Sequence, residues 1–356
     1  MDRRTLLARV ALGLLLSVGA EARADELVEL VKSGNSASLA AVVSLHARFE
    51  MALHPNPAVL AKIPVASGRR IVGQYWRSGN KVRIRENETP YGPRDMLQDH
   101  DRQQTTVHMP KSKLQTIDTG IIAAEGAIYT PADVWELALC SLPGPAVTFS
   151  HLLDTGGKIE SAHLSHEPGG ELAYLDVSLE SPPKTLRCEI WADPSKNYLV
   201  RRVVSHVTME GAAGKGRLEG EVTSFREVKP GVFFPESMEL RIFHKGQEIN
   251  RMVTRLTSIH INEPLPMSVF KMSFPPGTVV SDQVRGTTFR IDQEGKMAGP
   301  LGRIVEPPSE VLSGTPLSAE AEASRPFRLV ILISCLIAIF ATAFLVGRRL
   351  MLRKRI

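Results

Sequence analysis

Trp191-Ala192-Asp193-Pro194-Ser195-Lys196-Asn197-Tyr198-Leu199-Val200-Arg201-Arg202 reads as a strand, an Asp-Pro turn and a return strand. Asp and Pro open turns because Asp bonds to its own backbone and Pro fixes φ. A connection this short can join only antiparallel neighbours. The pattern spreads outward from here. Leu172–Leu179, Leu186–Trp191, Leu199–Val207, Gly220–Val228, Glu236–Phe243 and Glu248–Ile261 are strands with turns between them, His244-Lys245-Gly246-Gln247 being a tight hairpin. From Leu172 to Ile261 the chain is almost wholly strand and turn.

Further toward the N-terminus, Leu45, Ala47, Phe49, Met51 and Leu53 are apolar at every second position, the period of a half-buried strand. Arg69–Trp76 and Lys81–Glu86 flank Arg77-Ser78-Gly79-Asn80 and form a hairpin. Val82 and Ile84 lie on one face of its second strand, with Lys81, Arg83 and Arg85 on the other. Residues 25–41 read as a helix. Thr130-Pro131-Ala132-Asp133 caps a second helix whose apolar body runs from Trp135 to Leu142.

The ends of the chain read differently. Residues 1–24 have a basic start, an apolar stretch from Val10 to Val18, and Ala22-Arg23-Ala24, the layout of a cleaved signal peptide. Arg3-Arg4 also fits a twin-arginine signal, leaving the export route open. Leu329–Val346 is free of charge. At ~1.5 Å per residue it spans about 27 Å, close to a hydrocarbon core of roughly 30 Å. Residues 327–347 are therefore expected to be a transmembrane helix. Arg348, Arg349, Arg353, Lys354 and Arg355 make residues 348–356 a cytoplasmic tail. Residues 296–326, rich in Pro, Ala and Glu, read as a flexible linker. The exported domain is 25–295, outside a cytoplasmic membrane that the chain crosses once.

The net charge of +5 follows this topology. Residues 1–24 carry +2 and residues 327–356 carry +6, which leaves −3 for 25–326. A mildly acidic exported part lacks the basic footprint of nucleic-acid binding. Cys140 and Cys188 are the two cysteines outside the membrane segment. They are a candidate disulfide in an oxidising compartment, or else two small buried apolar residues.

The search for chemistry returns little. Gly211-Ala212-Ala213-Gly214-Lys215-Gly216 lacks the spacing of a phosphate loop and reads as a hairpin tip. In Ser181-Pro182-Pro183-Lys184 two prolines exclude the helix that would return Lys184 to Ser181. His163, His166 and Glu167 read as an exposed loop, Asp99-His100-Asp101 as a solvated turn. Trp76, Trp135 and Trp191 read as core. No catalytic or metal site and no cofactor motif emerges, and the chain is not expected to be an enzyme.

Several segments together resemble a known superfamily. They are the Trp191–Arg202 hairpin, Phe225-Arg226-Glu227-Val228, Gly231-Val232-Phe233-Phe234-Pro235, Ile261-Asn262-Glu263-Pro264-Leu265-Pro266, and Phe270-Lys271-Met272-Ser273-Phe274-Pro275-Pro276-Gly277-Thr278. In this order they resemble the outer-membrane lipoprotein carriers (LolA-like), with related lipid-binding lipoproteins and anti-sigma-factor regulators. The resemblance covers residues 27–292. It implies a mainly β fold with helices, a curved antiparallel unclosed β-barrel whose concave face the helices plug, leaving an apolar space for acyl chains. The apolar faces of Leu45, Phe49, Met51, Val82, Ile84, Leu175 and Val177 would line it. A carrier with its own membrane anchor departs from the soluble shuttles of the superfamily. The expectation is a tethered, non-catalytic envelope protein that binds a lipid or a lipidated protein. The alternative is an envelope-stress or regulatory sensor that contacts another membrane protein. A hydrolase is a third reading that no nucleophile motif supports.

Overall fold

A computed structural model describes residues 24–57, 69–89, 91–112, 117–124, 134–140, 149–181, 184–209, 215–244 and 246–303. The expected signal peptide up to residue 23, the expected Thr130 cap, the tip at 210–214, the expected linker beyond 303 and the expected transmembrane segment and tail lie outside them. Among the described residues no helix is long and apolar enough to cross a membrane.

The fold is mainly β. In chain order come helix α1 (24–40), strands β1 (Ser44–Pro55), β2 (Arg70–Ser78), β3 (Lys81–Thr89), β4 (Gly92–Asp99), β5 (Gln104–Met109) and β6 (Thr119–Ala124). Short helices α2 (Trp135–Ala138) and α3 (Phe149–Asp154) follow. Next come β7 (Lys158–Glu167), β8 (Gly170–Ser181), β9 (Lys184–Asp193), β10 (Leu199–Met209), β11 (Lys215–Lys229), β12 (Val232–His244) and β13 (Gln247–Ile261). The described chain closes with β14 (Val279–Asp282), β15 (Thr287–Ile291) and β16 (Met297–Arg303). The sheet is open, with β7 and β16 as its ends.

The chain divides into two compact units. The first draws on Met1–Val42, Leu53–Asn56 and Trp135–Arg255. In it β7 to β13 pair antiparallel, each with the next in sequence. Ser181 pairs with Lys184 across the two prolines, and His244 with Gln247, so both short turns close hairpins. Leu27 and Val31 of α1 and Phe149 and Leu152 of α3 share one buried cluster with Leu175, Val177, Cys188, Ile190, Val203 and Val222. The opposite face of these strands is a lattice of paired charges: Asp176 with Arg187, Glu189 with His206, and Glu239 with both Arg241 and Arg251. One face apolar and the other charged is the alternation of a sheet wetted on one side.

The second unit draws on Val43–Ala52, Pro57–Val134 and Leu256–Ile356. Strands β1 to β6 form a meander of antiparallel pairs. β14 then pairs with β6 in parallel, Val279 opposite Thr119. This corrects the expectation of uniformly antiparallel pairing. The long stretch of chain between β6 and β14 gives room for the crossover that a parallel pair requires. Leu45, Ala47, Phe49 and Met51 are buried as the alternation predicts. Phe49 lies opposite Gly73, where a Cβ would meet its ring at 2.6 Å, so glycine makes room for the phenyl group. The pattern read as a linker from residue 296 is interrupted by β16, whose Met297–Arg303 pairs with β15.

Arg83 corrects another expectation. Placed by alternation on a polar face, it is buried, with its guanidinium bonded to Asp95 Oδ1 at 2.8 Å and to the carbonyls of Val269 and Lys271 at 2.6 and 2.9 Å. The short helical turn Met267–Phe270 is thereby held to the strand.

Candidate functional site

The decisive hairpin does more than join β9 to β10. Asp193 accepts from Ser195 N at 2.9 Å and caps a single helical turn, Pro194–Lys196. Asn197 and Tyr198 then take left-handed φ angles of 55° and 58°. Such angles are costly for side-chain-bearing residues and persist only when neighbours hold them. Here α1 does so. Asn35, almost fully buried, donates from Nδ2 to Tyr198 O at 3.2 Å, and Ser38 Oγ donates to Asn197 O at 3.0 Å. A Cβ on Gly34 would stand 2.6 Å from Tyr198 Cδ2, so the helix and the turn can approach this closely only at glycine.

Beside this contact lies a groove of about 320 Å³. One wall is a continuous stripe of α1: Leu30, Ser33, Gly34, Ala37, Ser38 and Ala41. The other is Pro194, Asn197 and Tyr198 with Gly231 of the turn before β12 and Val232 and Phe233 at the start of that strand. Its volume falls at the lower end of small-ligand pockets, about 300–1,000 Å³. Three of its polar side chains donate to backbone carbonyls. Ser33 Oγ bonds to Glu29 O at 2.7 Å, Ser38 bonds as above, and Asn197 Nδ2 donates to Gly231 O at 3.0 Å. No carboxylate, imidazole, thiol or cation lines it. At the rim, Lys196 Nζ sits 4.3 Å from the Phe233 ring centroid.

A second, smaller cavity of about 90 Å³ is lined by Gly169, Gly170, Leu172, Trp191, Arg201 and Arg202, among others. Arg202 stacks over Trp191 at 4.6 Å, and Trp191 meets Tyr174 edge-on at 5.1 Å. Trp191 is itself buried, so this cavity offers little aromatic face to a ligand.

Of the residues proposed from sequence to line an apolar space, Leu175 and Val177 lie in the first unit's core cluster. Leu45, Phe49, Met51, Val82 and Ile84 are buried in the second unit. Neither cavity above includes any of them. Sequence reading missed the groove because its walls lie 159 positions apart in the chain. The small residues Gly34 and Ala37 of α1, with Ala41 just past its end, stand one helical turn apart in sequence, but nothing in that spacing names the turn that faces them.

Cys140 and Cys188 are free buried thiols in one core cluster, so the candidate disulfide is not formed. Cys140 Sγ lies 3.5 Å from Arg201 O, and Cys188 Sγ lies 3.5 Å from Ser205 Oγ. Burial pushes both thiols up to about 12, so neither is a nucleophile near neutral pH. His163, His166 and Glu167 sit in edge strand β7 rather than in a loop, and His166 faces Glu171 at 3.8 Å. Among the described residues no three His, Cys, Asp or Glu side chains are placed to hold a metal ion. Of Asp99-His100-Asp101, His100 and Asp101 form the turn after β4, whereas Asp99 ends the strand itself, its carboxylate 3.6 Å from Lys81 Nζ. Trp76, Trp135 and Trp191 are core residues. Trp76 stacks on His46, which stacks on His260. Burial and then His260 hold His46 below the usual imidazole range.

No family model matches the sequence, and no curated protein matches it. Solved structures do. A DUF1329 family protein from Desulfovibrio piger is 8% identical, with a TM-score of 0.38 over 68% of this chain and 97% of its own. A LolA superfamily protein from Nitrosomonas europaea is 12% identical, with a TM-score of 0.37 over 68% and 96%. The MucA/MucB complex of Pseudomonas aeruginosa gives 8% identity and a TM-score of 0.22 over 67% and 100%. The chain is thus similar to a LolA superfamily protein and to a MucA/MucB structure. At scores below 0.5 the fold description rests on the strand pairing above.

Proposed function

We propose that this chain is a non-catalytic binding protein of the bacterial envelope. A signal peptide exports it, residues 327–347 anchor it in the cytoplasmic membrane, and it holds an acyl chain of a lipid or lipidated protein. One observation carries the reading: the groove between α1 and the two turns is walled mostly by small and apolar residues, and Ser33, Ser38 and Asn197 in it each donate to a backbone carbonyl. A ligand in need of a hydroxyl donor finds both serine protons already given to backbone carbonyls. An apolar one loses nothing there, and each methylene taken out of water contributes about 0.8 kcal/mol. The absence of an acid, base or nucleophile from the lining supports binding over reaction.

The test is native mass spectrometry of the full chain extracted from membranes. An acyl-bearing species at equal stoichiometry is expected, and Ala37→Trp, which fills the groove, should release it. A folded protein that carries no such species would favour the alternative, a sensor in contact with a membrane protein. Protease added to spheroplasts should remove residues 25–327 and spare the tail.

A further inference from the structure

We propose that the groove selects an anionic amphiphile, with the chain between α1 and Phe233 and a carboxylate or phosphate head on Lys196. This rests on the acyl-binding reading and adds the chemistry of the head. Lys196 ends the one-turn helix after Asp193, and its ammonium lies against the ring of Phe233, itself a wall of the groove. It forms no ion pair among the described residues, whereas the charges on the outward face of the same unit are paired with neighbours. Glu227, a carboxylate near the end of β11, accepts from Gly231 N–H at 2.8 Å. The groove therefore has an apolar floor and an unneutralised cation on its edge. That arrangement complements a chain with a negative end and leaves a neutral one without a partner for its head.

The experiment uses the full chain in phosphatidylcholine nanodiscs with two photoreactive probes, diazirine palmitate and diazirine hexadecanol. Adducts are mapped by peptide mass spectrometry. Palmitate is expected to label α1 and the 231–233 turn. Oleate or oleoyl lysophosphatidylglycerol should displace it, the effective competitor identifying carboxylate or phosphate as the preferred head. Oleyl alcohol and lysophosphatidylcholine should not. Lys196→Glu should lower palmitate labelling about tenfold and leave hexadecanol labelling unchanged. Lys196→Met, which keeps a contact with Phe233 but loses the charge, should give the same split. Circular dichroism establishes that both variants are folded. Equal labelling by the two probes, unmoved by either variant, would overturn the head assignment while leaving the apolar reading intact. Groove labelling by neither probe would defeat both.

Discussion

The two units bury different things on their sheets. In the first, the cluster beneath α1 and α3 is apolar throughout, and its buried carboxylates, Asp176 and Asp193, lie outside that cluster. In the second, charge is taken inside. Glu86 and Glu88 share the face of Val82 and Ile84, where they meet Arg94 and Arg69, and Arg83 is buried on the other face with Asp95. An apolar core tolerates exchange of one aliphatic shape for another. A buried ion pair does not, because removal of one partner strands the other. The contrast teaches where specificity resides: the second unit is fixed by polar geometry, and the first is free to carry a groove on its margin.

Native-state hydrogen exchange reads the two units separately and can break this contrast. The largest effect is expected from Arg83→Met, which unpairs two carbonyls and leaves Asp95 only its bond to the exposed Arg85. Protection in β3 and β4 should fall by about 3–5 kcal/mol, with β8 to β10 unchanged. Equal loss in both units would show that they unfold as one. Leu175→Ala empties part of the first unit's core, and its strands should lose about 2–5 kcal/mol. Leu175→Met should cost under about 1.5 kcal/mol, which sharpens the claim that shape there is exchangeable.

Gly34→Ala drives a methyl group into Tyr198. A loss of about 1–3 kcal/mol is expected in α1, together with weaker probe binding in the groove. Unchanged stability and binding would mean that helix and turn do not need this closeness. The smallest effect concerns His46. Its pKa is lowered in the folded protein, so the unfolded chain binds the proton first. Stability should therefore fall as the pH drops below about 6.5 and level off once the folded protein also protonates. Urea midpoints across this window should show the decline, and His46→Gln should flatten it.

Much of the first unit was legible in sequence. Each strand from β8 to β13 contains a predicted run, because apolar alternation and turn residues agree there. β4 and β5 were not legible. Gly92–Asp99 offers only Met96 and Leu97 as apolar residues, and inward positions such as Arg94 are satisfied by ion pairs that no periodicity encodes. β7 was missed because an edge strand is exposed along most of its length and carries little pattern. The groove was illegible for a different reason. Its walls are ordinary residues in ordinary elements, and it exists only where Gly34 meets a turn far along the chain.

Asn262 has a consequence in time. Its side chain accepts from Val43 N at 2.7 Å and from Ser44 N at 3.2 Å, and its own N–H bonds to Ser44 O at 2.9 Å, 218 positions back in the chain. Contacts of such separation form slowly, because a long loop must close before they are rewarded. The start of the first strand thus waits for most of the chain to be synthesised before this contact forms. Until residue 262 emerges, β1 presents its Leu45, Phe49 and Met51 side chains and an unmatched backbone edge to whatever is near. A chain released early would be a substrate for holdase chaperones and proteases. For this molecule the interval between its first and last strands sets the length of its exposure to them.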